Sequence, residues 1–194
     1  MLQARDTMPH LGGHSPMVRY RRNHLPGGTY FFTVTLANRQ STTLVDHVDA
    51  LRTAFRATKA TAPFGIDAIV ILPDHLHAIL TLPENDADYP NRWRCIKAHF
   101  TSAVIAAGPS PFVPDAKGEY RIWQRRYWEH TIRDEDDFAR HVDYIHINPV
   151  KHGLVTCVAD WPHSSFHRYV RNGDLPKDWS ATVPLDTKGF GERG

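Results

Sequence analysis

The chain has 194 residues, of which 41% are hydrophobic and 23% charged, and a formal net charge of +2. That length fits one domain with extended ends, and that composition supports a buried core while excluding global disorder and fibrous repeats. The longest clean apolar run, Ala68–Leu72, is too short to span a bilayer, the first twenty residues hold no secretory apolar run, and Cys95 and Cys157 are too few for a disulfide framework. A soluble, reducing, cytoplasmic setting without a membrane partner is expected.

Residues 1–16 are polar and aperiodic and read as a loose tail. Thr29–Leu36 alternates, with Tyr30, Phe32, Val34 and Leu36 on one side, which predicts a strand with a core face. Leu44, Val48, Leu51 and Phe55 recur at helical spacing. Ile66–Leu72 and His75–Leu82, joined by Pro73-Asp74, predict a hairpin. Trp93, Ile96, Phe100 and Val104 share one face of a second helix over 91–107. Tyr120–Arg133 is rich in aromatics and arginine and can hold a strand. A third helix is predicted over 134–148. It opens on four acidic residues that suit the helix dipole, and it stops at Asn148 because the residue before a proline avoids helical geometry. After about 170 the chain reads as a C-terminal tail (171–194), leaving one domain over 17–170.

This order predicts an α+β fold, a ferredoxin-like antiparallel sheet with helices packed on one face. No Gly-rich stretch is followed by Lys-Ser or Lys-Thr, so no Walker-type phosphate loop is present.

The small net charge hides blocks. Residues 17–40 carry four arginines and no acid, and 90–133 carry eight bases against three acids. Residues 41–90 and 134–160 are acidic overall. Basic blocks interleaved with Tyr, Trp and Phe suit a polyanion with stackable bases, although solvated faces look the same in sequence. Arg19, Arg21, Arg22, Arg92, Arg94, Lys97, Arg125 and Arg126 are the candidate DNA contacts, with Trp128 as a base-stacking surface.

Two constellations carry chemistry. In His75-Leu76-His77 a strand sends both imidazoles to one side, roughly 6.5–7 Å apart, a spacing that allows one shared divalent ion. Tyr144 and Asn148 lie one helical turn apart on one face. An amide oxygen can complete a coordination shell begun by two imidazoles, and a phenol can attack what the ion polarises. The same residues also fit a hydrogen-bonded buried tyrosine and an asparagine capping a helix end.

Five stretches then resemble a known family. They are Gly27–Val34, Leu72-Pro73-Asp74-His75-Leu76-His77, Trp123–His130, Val142–Gly153 and Asp160–His167. Together they resemble the REP-associated tyrosine transposases, a branch of the insertion-sequence transposases with a His-hydrophobic-His motif and a single tyrosine. The resemblance implies that His75, His77 and Asn148 bind the metal, although many relatives carry Gln at the third position. It implies that Tyr144 forms a 5′-phosphotyrosine link and releases a 3′-hydroxyl. It further implies single-stranded DNA hairpins, the repeated extragenic palindromes (REPs), as substrate. Two histidines and an amide oxygen make a site of mixed hardness, and phosphate chemistry favours exchangeable hard ions, Mg2+ or Mn2+ over zinc.

The expectation is a metal-dependent single-strand endonuclease and strand transferase, acting as a monomer or homodimer. The alternatives are a hairpin-binding regulator without turnover and a metal-dependent hydrolase of a small molecule.

Overall fold

The computed structural model describes residues 23–108, 112–180 and Phe190. Four strands, β1 (Thr29–Thr35), β2 (Gly65–Ile71), β3 (His75–Thr81) and β4 (Trp128–Thr131), form one sheet in the order β2-β3-β1-β4. Every pairing is antiparallel. A short helix, α1 (Thr43–Asp46), and α2 (Val48–Thr61) connect β1 to β2, and α3 (Tyr89–Ala106) lies between β3 and β4. Helix α4 (Glu135–Lys151) follows β4, and α5 (Phe166–Asn172) comes after a 3-10 turn. The β-α-β-β-α-β order with this strand sequence is the ferredoxin-like arrangement, so the α+β reading holds.

The helices do not share one face. Tyr30, Phe32 and Val34 of β1 and Leu76, Ala78 and Leu80 of β3 pack with Leu51 and Phe55 of α2 and Trp93, Ile96 and Phe100 of α3. Phe31, Val70 and Ile79 point the other way, onto Val142 and Ile145 of α4. The central strands are therefore buried on both sides, at roughly 1.5–3 kcal/mol for each large apolar side chain removed from water. The alternation in β1 marks only one of its two core faces, because Phe31 also disappears beneath α4.

Helix α4 starts as its sequence dictates. The Asp134 carboxylate accepts from the Asp137 amide (2.8 Å), and Asp137 accepts from the Arg133 amide (3.1 Å). Its end differs from expectation. Pro149 lacks an N–H and removes one bond from the ladder, yet the helix runs through it to Lys151. The amides of His152 and Leu154 bond the carbonyls of Asn148 (3.0 Å) and Pro149 (2.9 Å), so the turns after the proline still close.

Residues beyond α4 wrap the sheet edge. The Ile71 amide donates to His163 O (2.9 Å), Ser165 N donates to Ile69 O (2.8 Å), and Trp161 Nε1 donates to Ile71 O (3.0 Å). This covers the otherwise open rim of β2. Leu175 and Trp179, in the stretch read as a tail, pack on Ile147, Val158 and Phe166. No helix among the described residues is long and apolar enough to cross a membrane.

His146 sits in this last cluster, fully buried, with Nε2 3.0 Å from Ser165 Oγ. Burial, then the charges of Arg168 and His167, pulls its pKa down to about 4. The unfolded ring titrates near about 6.5. Between those values the unfolded chain binds more protons, so stability is complete above pH ~6.5 and falls as pH drops towards 4, by about 3 kcal/mol from this group. Urea unfolding at a series of pH values should show this loss, and His146→Gln should flatten it.

Candidate active site

Strand β3 delivers His75 and His77 to the α4 side of the sheet, both 1% exposed or less. Their ring centroids are 5.0 Å apart and nearly perpendicular. Each ring is anchored through Nδ1. His75 Nδ1 lies 2.8 Å from Asp74 Oδ1, and an ionised carboxylate only accepts, so that nitrogen carries the hydrogen. Burial pushes the Asp74 carboxyl up, but the His75 hydrogen bond and the charges of His75 and Arg39 outweigh it and hold it below the usual range. His77 Nδ1 lies 2.9 Å from Thr33 Oγ1, its cross-strand neighbour. The Thr33 hydroxyl donates its one hydrogen to Phe190 O (2.7 Å), so it accepts from His77. Both imidazoles therefore keep the lone pair on Nε2. This is the tautomer in which metal-binding histidines are held by an outer partner.

Helix α4 lies across the pair. The Tyr144 ring is 5.2 Å from His77, and the His152 ring is 5.1 Å from His75. Tyr144, Asn148 and His152 occupy successive turns of one helical face, so Asn148 falls between those two contacts. Asn148 is completely buried and Tyr144 nearly so. The two sequence constellations, about seventy residues apart, thus meet in space. Two nitrogens and an amide oxygen suit a divalent ion of intermediate hardness.

Two neighbours, Lys151 and Phe190, escaped the sequence reading. Lys151 Nζ donates to Tyr144 Oη at 3.0 Å and lies 4.8 Å from the ring centroid. Its spacing of seven from Tyr144 is two helical turns, a signal hidden by ending the helix at Asn148. Phe190 stacks on Tyr144 with centroids 3.8 Å apart and planes 7° apart. No periodicity could announce that contact. Finally, His130, Asp137 and His141 form a group that could hold a metal ion, with ligand atoms within 4.8 Å of one another. His130 Nε2 is 2.7 Å from Asp137 Oδ2, and burial lowers the His141 pKa.

The expected DNA contacts divide. Arg94, Arg125 and Arg126 are exposed. Lys97 bonds the Gln124 carbonyl (3.0 Å), with its ammonium near Trp123 and Tyr127. Trp128 is half-buried, stacked with His130 and edge-on to Phe31. Arg92 is not available to a phosphate. It is 2% exposed, and its guanidinium bonds both Asp86 oxygens (3.0 and 2.7 Å) and the carbonyls of Pro63 and Asp88. Its place in the basic block concealed an inward-facing helical position. Arg19, Arg21 and Arg22 lie outside the described residues.

No protein-family model matches the chain. A REP-associated tyrosine transposase from Escherichia coli (strain K12) is 49% identical over 167 residues, 86% of this chain and 93% of the relative. A relative from Haemophilus influenzae is 46% identical over 89% of this chain and 99% of its own. The solved structure of a REP-associated tyrosine transposase bound to a REP hairpin matches with a TM-score of 0.79 and 48% identity, over 91% of this chain and 98% of the other. Fold and similarity define a transposase of the single-tyrosine class. The chain belongs to the REP-associated tyrosine transposases.

Arg92→Ala should lower stability by about 2 kcal/mol in urea unfolding, because it leaves the carbonyls of Pro63 and Asp88 without that donor, while the part-exposed Asp86 turns to water. DNA affinity of the folded variant should be unchanged.

Proposed function

We propose that this chain cleaves and rejoins single-stranded DNA at REP-type hairpins through Tyr144, using Mg2+ or Mn2+ held by His75, His77 and Asn148. The observation that carries the reading is the placement of the Tyr144 ring 5.2 Å from His77, one of two adjacent imidazoles whose Nδ1 atoms are already anchored. The hairpin bound to the solved relative supports the choice of substrate.

The chemistry follows from the groups present. Tyr144 Oη attacks phosphorus, the P–O3′ bond breaks, and the 3′-oxygen departs as a hydroxyl, the proton it gains balancing the one the phenol gives up. The 5′ end stays on the tyrosine, and attack by a 3′-hydroxyl reverses the step. A bound divalent ion would offset the charge that builds on a non-bridging oxygen. The Lys151 ammonium already donates to Oη, so it stabilises the phenolate as the phenol proton leaves. The near-complete burial of Tyr144 strengthens that interaction.

A second reading, a hairpin-binding regulator without turnover, has one observation on its side. Phe190 covers a face of the phenol. Incubating the chain with a labelled hairpin and Mn2+, followed by denaturing electrophoresis, separates the two readings. Cleavage predicts a protein–DNA adduct, and its absence favours the regulator.

Tyr144→Phe should retain hairpin binding and form no adduct. An adduct that persists moves the nucleophile elsewhere. Lys151→Met should slow adduct formation about 10²–10³-fold, as loss of one donor to a developing oxyanion does, and should displace the rate–pH profile upwards. An unchanged rate and profile would remove Lys151 from the reaction.

A further inference from the structure

On the opposite side of the sheet from Tyr144, a groove of about 400 Å³ opens between α2, the rim strand β2 and the segment that wraps it. Arg52, Arg56 and Lys59 line one wall. Their spacing of i, i+4 and i+7 puts all three on one face of α2, in a row about 10 Å long. Arg168 stands on the other wall, where its guanidinium bonds the carbonyls of Ile66 and Asp67 at the bulge in β2. Ile66 and Ile69 belong to the apolar floor.

No carboxylate lines the groove among the described residues. Arg52 pairs with Asp49 (3.0 Å), but that acid is 89% exposed, so the pair is weak and open to exchange. Arg56 donates to the Thr53 hydroxyl and to no acid among the described residues. His163 adds a buried Nδ1 with no hydrogen-bond partner among the described residues. The groove thus combines several cations, a neutral hydrogen-bonding ring and an apolar base. A single carboxylate or metabolite phosphate would engage one end of the row only. A polyanion with charges along its length matches all of it, since a row of about 10 Å spans roughly three nucleotides at 3.4 Å each.

We propose that this groove binds the sugar–phosphate backbone of the DNA substrate, as a second contact surface remote from the nucleophile. The proposal rests on the hairpin-DNA reading above. A strand that reaches both the groove and Tyr144 must pass around the β2 edge, where residues 161–165 are already bonded to the sheet. The groove therefore contributes affinity and register, while the chemistry stays on the α4 face.

The test is the triple variant Arg52→Gln, Arg56→Gln, Lys59→Gln in the full chain. Arg168 is left intact because it holds the bulge. The probe is a labelled oligonucleotide forming a REP-type hairpin with single-stranded flanks, titrated at several salt concentrations. The Kd should rise at least about tenfold at low salt, and the slope of log K against log salt should become shallower by about two to three, one unit per lost phosphate contact. The variant Arg52→Lys, Arg56→Lys should keep the slope, which separates lost charge from altered folding. A triple variant with the wild-type slope overturns the proposal. The readout is binding alone. If the unmodified chain forms no adduct, the cleavage reading fails while the groove is still decided.

Discussion

The packing of α4 across β3 is the contact on which the site depends. His75 and His77 point out of one face of the sheet, and the backbone alone brings nothing to meet them. Val142 and Ile145 press α4 onto Phe31, Val70 and Ile79, and that apolar contact sets the depth at which Tyr144 meets His77. The helix is registered at its start by Asp134 and Asp137 and along its length by this stripe, so three successive turns pass over the histidine pair. The amide and the phenol are held by a hydrophobic layer that takes no part in the chemistry.

Acidic side chains do a second structural job. Asp74 holds His75, Asp86 holds Arg92, and Asp137 closes the start of α4 while meeting His130. Each has its pKa held below the usual carboxylate range, with burial opposed by these partners for Asp74 and Asp137 and the Arg92 hydrogen bond leading for Asp86. These carboxylates are each committed to a partner within the fold, so their charge is answered locally. Net charge by segment is therefore a poor guide to local field.

That explains what was legible in the chain and what was not. The two-residue period of a strand and the four-residue period of a helix made His75, His77, Tyr144 and Asn148 readable as pairs. Their meeting needed the tertiary fold or a family resemblance. The second covered face of the sheet was obscured because Phe31 sits between the more regular Tyr30 and Phe32. Lys151 was lost to a rule about proline that this helix overrides by closing its hydrogen bonds on the far side. The cationic row on α2 has clear helical spacing, but it lies in a stretch that sums to an acidic total, with Asp67, Asp74 and Asp86 engaged elsewhere.

The ring resting on Tyr144 comes from residue 190, well beyond the end of α5 in sequence. Trimming the chain at residue 180 would strip away that aromatic cover and the carbonyl that fixes the Thr33 hydroxyl. It would also release the constraint on which nitrogen of His77 is protonated. Shortened and whole chains would enter an assay with different chemistry at the same four residues, and their rates could not be compared as if only length had changed.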